Sequence, residues 1–143
     1  MGDKRRILSQ ARLLLIEKLG ELTGESRIYE SPAWGFTADE TFLNQVLIVE
    51  TYLPPLTVLD VIQSIETHLG RVHTTPHPGS GPRSYESRLI DIDILFYDDR
   101  IIHEDRLRVP HPLIAERDFV LNPLKEVMPD YIHPVYLRPI KEL

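Results

Sequence analysis

Apolar residues recur at helical spacing near the start of the chain, where Ile7, Leu8, Ala11, Leu14, Leu15, Leu19 and Leu22 fall mostly three or four positions apart. The pattern predicts an amphipathic helix with Asp3 as its N-cap and Gly20 or Gly24 as its stop. Arg27 to Ser31 and Phe42 to Thr51 are rich in β-branched and aromatic residues, and Pro32-Ala33-Trp34-Gly35 lies between them. This predicts two strands around a loop. Pro54-Pro55 ends the second strand, and Thr57 with Asp60 resembles a capping box. Val58, Leu59, Val61, Ile62, Ile65 and Leu69 then predict a second helix, stopped at Gly70. From Arg71 to Ser87, three prolines and two glycines interrupt any period, as expected of a long surface loop. Ile90 to Tyr97 reads as a strand with Ile90, Ile92, Ile94 and Phe96 on one face and Asp91 and Asp93 on the other. Leu107 and Val109 suggest one more short strand, and Asn122-Pro123 opens a last helix stopped by Pro129. Without repeats or linkers, residues 1–143 read as one α+β domain with a largely antiparallel sheet.

Composition narrows the function classes. The hydrophobic share of 42% and charged share of 27% belong to an ordinary globular chain. A net charge of −6 supplies no generally basic surface for a phosphate backbone, so nucleic acid is not an expected partner. The chain has no cysteine, which excludes disulfides, thiolate nucleophiles and cysteine zinc sites and fits a reducing compartment; the cytoplasm is expected. Met1-Gly2-Asp3-Lys4-Arg5-Arg6 lacks the apolar core of a signal peptide. No apolar run approaches the roughly 18 residues of a membrane span, and a soluble monomer is the expectation.

The sharpest chemical feature is Asp91-x-Asp93. Two carboxylates so close repel one another unless a cation or proton lies between them. The pair reads either as a divalent metal site or as two solvated side chains; as a metal site, all-oxygen ligands favour Mg²⁺ over zinc. Arg106, Arg108, His111 and Arg117 gather positive charge in an acidic protein. They suit polyphosphate oxygens or form surface ion pairs. His73 and His77 sit in the predicted loop, which holds ligands poorly, and no metal is assigned there. Asn44, in an apolar strand, needs a hydrogen-bond partner if buried, from a ligand or from backbone. Trp34 and Phe42 read as core or as walls for a planar ligand.

Together these segments resemble the 6-hydroxymethyl-7,8-dihydropterin pyrophosphokinase family. The likeness runs from Gly2-Asp3 to about Pro134 through Tyr29-Glu30-Ser31-Pro32-Ala33-Trp34-Gly35, Phe42-Leu43-Asn44, Arg88-Leu89-Ile90-Asp91-Ile92-Asp93, Val109-Pro110-His111-Pro112 and Glu116-Arg117-Asp118-Phe119-Val120-Leu121. The resemblance implies a ferredoxin-like fold and transfer of diphosphate from ATP to a pterin alcohol in folate biosynthesis, with AMP released. It further implies that Asp91 and Asp93 hold two Mg²⁺ ions and that Ser31, Pro32, Trp34, Phe42, Asn44 and Phe119 form the pterin pocket. Gln63, Glu66, Arg88, Arg106, Arg108, His111 and Arg117 match nucleotide contacts, with Arg88 and Arg106 counted with the aspartates as catalytic. Tyr85 lies in the loop that closes over ATP, where the family often has tryptophan.

Two departures accompany the resemblance. Family members begin with a strand and a Leu-Gly-Ser-Asn-type turn ahead of the point matched by Met1-Gly2-Asp3; either the true chain starts upstream, which is the expectation, or this protein tolerates the loss of a sheet strand. The loop over Thr74 to Arg83 is extended, and Tyr85-Glu86-Ser87 replaces an aromatic-Gly-Pro run. Rival readings are a non-catalytic ligand-binding module and a generic two-carboxylate nucleotidyltransferase, which Asn44 and its aromatic neighbours disfavour.

Overall fold

The computed structural model describes residues 2–32, 41–73 and 90–143. Helix α1 covers Gly2–Leu19, and strand β1 covers Gly20–Glu25. Gly20, at φ +155, turns the chain from one into the other; a Cβ there would overlap the Glu50 carbonyl oxygen, so the close approach requires glycine. Strands β2 (Tyr29–Pro32), β3 (Thr41–Asn44) and β4 (Leu47–Thr51) follow. β1 pairs antiparallel with β4, from Gly20 opposite Thr51 to Glu25 opposite Leu47. β2 pairs antiparallel with β3, from Tyr29 opposite Asn44 to Pro32 opposite Thr41.

These two ladders are successive parts of one long ribbon interrupted at residues 26–28 and 45–46. Buried Ser26 stitches the break. Its N–H donates to the Val46 carbonyl at 2.9 Å, its Oγ accepts the Val46 N–H at 3.0 Å, and its hydroxyl donates to the Arg27 carbonyl at 2.7 Å. The strand expected over Phe42 to Thr51 is therefore two strands with Gln45-Val46 between them. The apolar run hides the break because Val46 is also buried, but in a different core.

Helix α2 covers Pro55–His73. Pro55 opens it rather than ending the preceding strand, since the first turn needs no N–H from that position. The helix also continues through Gly70, where the surroundings are open and no turn is imposed. α1 and α2 pack together, burying Ile7, Ala11, Leu15, Val58, Ile62, Ile65 and Leu69. Ile90, Ile92 and Ile94 pack against this layer while Asp91 and Asp93 are exposed, as the alternation of a strand predicts. Among the described residues, however, 90–96 belong to no hydrogen-bonded ladder. Phe96 also departs from the expected face and joins a second core.

The chain then forms β5 (Ile102–His103) and β6 (Arg108–Val109), an antiparallel pair closed by reciprocal backbone bonds between Glu104 and Leu107. Helix α3 covers Asp118–Val127. It begins ahead of the expected Asn122-Pro123 start and carries Pro123 inside, where proline cannot donate to the Phe119 carbonyl. The second core joins Val46, Ile114, Leu121, Leu124 and Ile140, with Leu95, Phe96 and Tyr131 beside them. Among the described residues there are thus three helices and three two-stranded antiparallel sheets, an α+β arrangement in place of the single sheet expected. No described helix is long and apolar enough to cross a membrane.

Candidate active site

Two groups of polar and aromatic side chains emerge from this framework. The first gathers around α2. Because Ile90, Ile92 and Ile94 are committed to the core, Asp91 and Asp93 project together from the opposite, solvent-facing side. The N–H of Ile92, midway between them, donates to Glu66 Oε2 at 2.7 Å. A carboxylate on α2 thereby fixes the rotation of the segment that carries the acidic pair. One turn earlier, Gln63 Oε1 accepts Arg106 Nη2 at 3.3 Å, and the same nitrogen donates to Asp60 Oδ1 at 2.6 Å. Arg106 lies at the tip of the β5–β6 hairpin, and Arg108 is exposed on β6 beside buried Val109.

Beyond the cis Val109-Pro110 bond, the His111 N–H donates to the Leu95 carbonyl at 3.0 Å, which ties the histidine to the acidic segment. Its Nδ1 accepts the Leu113 N–H at 3.2 Å. In the neutral ring the proton therefore resides on Nε2, which leaves that nitrogen as the donor. The donor set suits magnesium: two hard carboxylates share one exposed face, the oxygen chemistry by which this ion is held. Among the described residues no cluster of three or more His, Cys, Asp or Glu forms a closed protein cage of the kind a structural zinc requires.

The second group lies on the β2–β3 hairpin and α3. Asn44 Nδ2 donates to Ser31 Oγ at 3.0 Å across the two strands. Phe42, opposite Ser31, leaves 53% of its surface exposed, more than a core aromatic would. Phe119 stands in the first turn of α3, and the Arg117 guanidinium lies 5.6 Å from its ring centroid. α3 packs on both β2 and β3, so the amide and the two rings come from elements in contact. The turn from His111 to Arg117 links the two groups through the Ile114, Glu116 and Arg117 amides. Pro32 ends β2, while Trp34, Tyr85 and Arg88 lie outside the described residues.

Sequence reasoning gave no sign of one member of this framework. Glu126, near the end of α3, accepts the Arg27 N–H on both oxygens at 3.2 Å and the Tyr29 hydroxyl at 2.7 Å. The Tyr29 hydroxyl, supported by Arg27, holds its carboxyl below the usual carboxylate range against the opposing effect of burial. Asp60, read from sequence only as part of a capping box, is the partner of Arg106.

Residues 1–129 match the family model described as 7,8-dihydro-6-hydroxymethylpterin-pyrophosphokinase. The chain is 42% identical over 142 residues to a 2-amino-4-hydroxy-6-hydroxymethyldihydropteridine pyrophosphokinase of Aquifex aeolicus, covering 99% of this chain and 83% of that one. A protein of the same name from Porphyromonas gingivalis is 38% identical over 135 residues, covering 94% of this chain and 88% of the relative. A folic acid synthesis protein of Dictyostelium discoideum is 41% identical over 135 residues, which are 94% of this chain but 19% of that larger protein.

Proposed function

The chain belongs to the 7,8-dihydro-6-hydroxymethylpterin-pyrophosphokinase family, and we propose that ATP is its diphosphate donor, Mg²⁺ its metal, and the hydroxymethyl group of 6-hydroxymethyl-7,8-dihydropterin its acceptor. It is an enzyme, a pterin pyrophosphokinase of folate biosynthesis. Asp91 and Asp93 would hold two Mg²⁺ ions, which when bound supply neutralisation of the triphosphate charge and a template for the reacting groups. The observation that carries this reading is the exposed Asp91 and Asp93 pair pinned through Ile92 to Glu66, with the His111 backbone tied to Leu95 two residues further on.

The remaining roles are those the family resemblance implies, and the reaction makes sense of them. The pterin hydroxyl oxygen bonds to the β-phosphorus, the bond from that phosphorus to the α,β-bridging oxygen breaks, and AMP departs with the electron pair. The hydroxyl proton passes to solvent. No covalent enzyme intermediate is needed, so catalysis consists of positioning and charge stabilisation. Asn44 and Ser31 meet the polar edge of the heterocycle and Phe42 and Phe119 cover its faces; the family resemblance adds Pro32 and Trp34 to this set. Arg106, Arg108, His111 through Nε2–H, and Arg117 take phosphate oxygens; Arg106 exchanges Asp60 for phosphate as the nucleotide arrives. Gln63 and Glu66 are assigned to the nucleotide, and so, on the family resemblance alone, are Arg88 and Tyr85.

The same reading makes residues 1–143 one ferredoxin-like domain, acting as a cytoplasmic monomer. A ferredoxin-like sheet would pair residues 90–96 with a further strand that the described residues do not supply, in keeping with their unladdered course. Incubation with ATP, Mg²⁺ and 6-hydroxymethyl-7,8-dihydropterin, followed by chromatography, tests the activity. AMP and diphosphorylated pterin in equal amounts are expected. ADP, inorganic diphosphate, or pterin binding without nucleotide consumption would contradict it.

A further inference from the structure

We infer that Glu126 is a positioning residue that sets the separation between the β2–β3 hairpin and α3, and thereby the affinity for the flat heterocyclic alcohol; the inference rests on the function proposed above. The pocket residues come from two elements that share no backbone ladder: Ser31, Phe42 and Asn44 from the hairpin, Phe119 from α3. Apolar contacts between α3 and the rest of the second core are non-directional and fix neither the sliding nor the tilt of the helix. A charged acceptor with several donors does fix them.

Glu126 is placed to do so. It follows Phe119 by seven residues, which brings both to nearly the same face of α3 about 10 Å apart along the axis. Its carboxylate takes the Arg27 N–H, the Tyr29 hydroxyl and, at 3.5 Å, Arg27 Nε. Tyr29 is the cross-strand partner of Asn44, so the clamp holds the rung of the hairpin that carries the pocket amide. Asn44 in turn holds Ser31. The chain of contacts therefore runs from α3 through Tyr29 to the polar residues of the pocket.

The cluster's Arg27–Glu126 ion pair is a poor candidate for general stabilisation, because the Arg27 side chain is 78% exposed. Exposed ion pairs add little to folding. Its loss should appear in pterin binding before it appears in melting temperature. Steady-state kinetics on the full chain with Mg²⁺, ATP and 6-hydroxymethyl-7,8-dihydropterin separates the two. Glu126→Ala is expected to raise the pterin KM about tenfold, a cost in keeping with losing charge-assisted hydrogen bonds, while kcat and the ATP KM change by less than about twofold. Glu126→Asp should recover part of the loss. Tyr29→Phe, which removes one hydroxyl, should raise the pterin KM about threefold and serves if Glu126→Ala does not fold. An unchanged pterin KM in the variants, or an equal rise for both substrates with a lowered melting temperature, overturns the inference while leaving the proposed function intact. A wild-type chain that binds no pterin overturns both.

Discussion

Asn44 and Asp93 stand in two halves of the proposed site that are held by different means. Asn44 lies on a two-stranded ladder, bonded to Ser31 across it and backed by the Glu126 clamp on Tyr29. Asp93 lies on residues 90–96, which join no described ladder and are fixed instead by single contacts. Those contacts are Ile92 N–H to Glu66, His111 N–H to the Leu95 carbonyl, and the Tyr97 hydroxyl to the Leu53 carbonyl. The heterocycle side rests on a backbone ladder, whereas the acidic side depends on isolated hydrogen bonds over a packed apolar face.

If the halves are separable, their variants should fail separately. The largest effect is expected from Asp91→Ala combined with Asp93→Ala. Loss of metal ligation worth several kcal/mol of charge stabilisation should lower the transfer rate at least about a thousandfold. Both side chains are exposed, so melting temperature and pterin affinity should hardly move. Lost pterin binding in this variant would break the comparison.

Asn44→Ala is expected next. Loss of a part-buried amide should reduce kcat/KM for the pterin about 10- to 100-fold and leave the ATP KM near its wild-type value. Equal changes for both substrates would merge the two halves.

The legibility of the chain follows the same division. Alternation over residues 90–94 placed the apolar face and the acidic face correctly, because burial on one side imposes a period of two. It said nothing of the missing ladder, since pairing depends on what else the fold supplies. Strand β1 escaped notice because Gly20-Glu21-Leu22-Thr23-Gly24-Glu25 has two glycines that also read as helix stops. Asn122-Pro123 reads as a helix start, although Pro123 sits inside α3. Asn44 and the Asp91 and Asp93 pair could be singled out from local pattern. The Glu126 clamp could not, because Arg27 lies 99 residues away and only the tertiary fold brings them together.

Ser26→Ala tests the foundation of the hairpin half. Removing the hydroxyl leaves the buried Val46 N–H without that acceptor and should cost about 1–3 kcal/mol, read from the urea midpoint. A loss well below this range would mean that the stitch between the two ladders contributes little.

The smallest effect concerns the far end of the acidic segment. His133 is buried, stands edge-on to Phe96, and accepts the Val135 and Tyr136 N–H groups on Nδ1. Burial pushes its pKa below the ordinary 6.5, so the folded state disfavours its protonation. The stability this contributes is full above the unfolded value and is lost as pH falls from about 6.5 towards the lower folded pKa. Melting temperature should therefore fall more steeply between about pH 7 and 5 in the wild type than in His133→Gln. Parallel slopes would remove His133 as the acid-sensitive anchor of this end.

The central claim is that Asp91 and Asp93 bind the metal of a reaction whose acceptor lies in the hairpin slot. Anomalous diffraction from crystals soaked with Mn²⁺, a non-hydrolysable ATP analogue and the pterin tests it most directly. Manganese density on both carboxylates, bridging to the nucleotide phosphates, is the predicted result. Manganese bound elsewhere, with both aspartates turned away from the nucleotide, would contradict it.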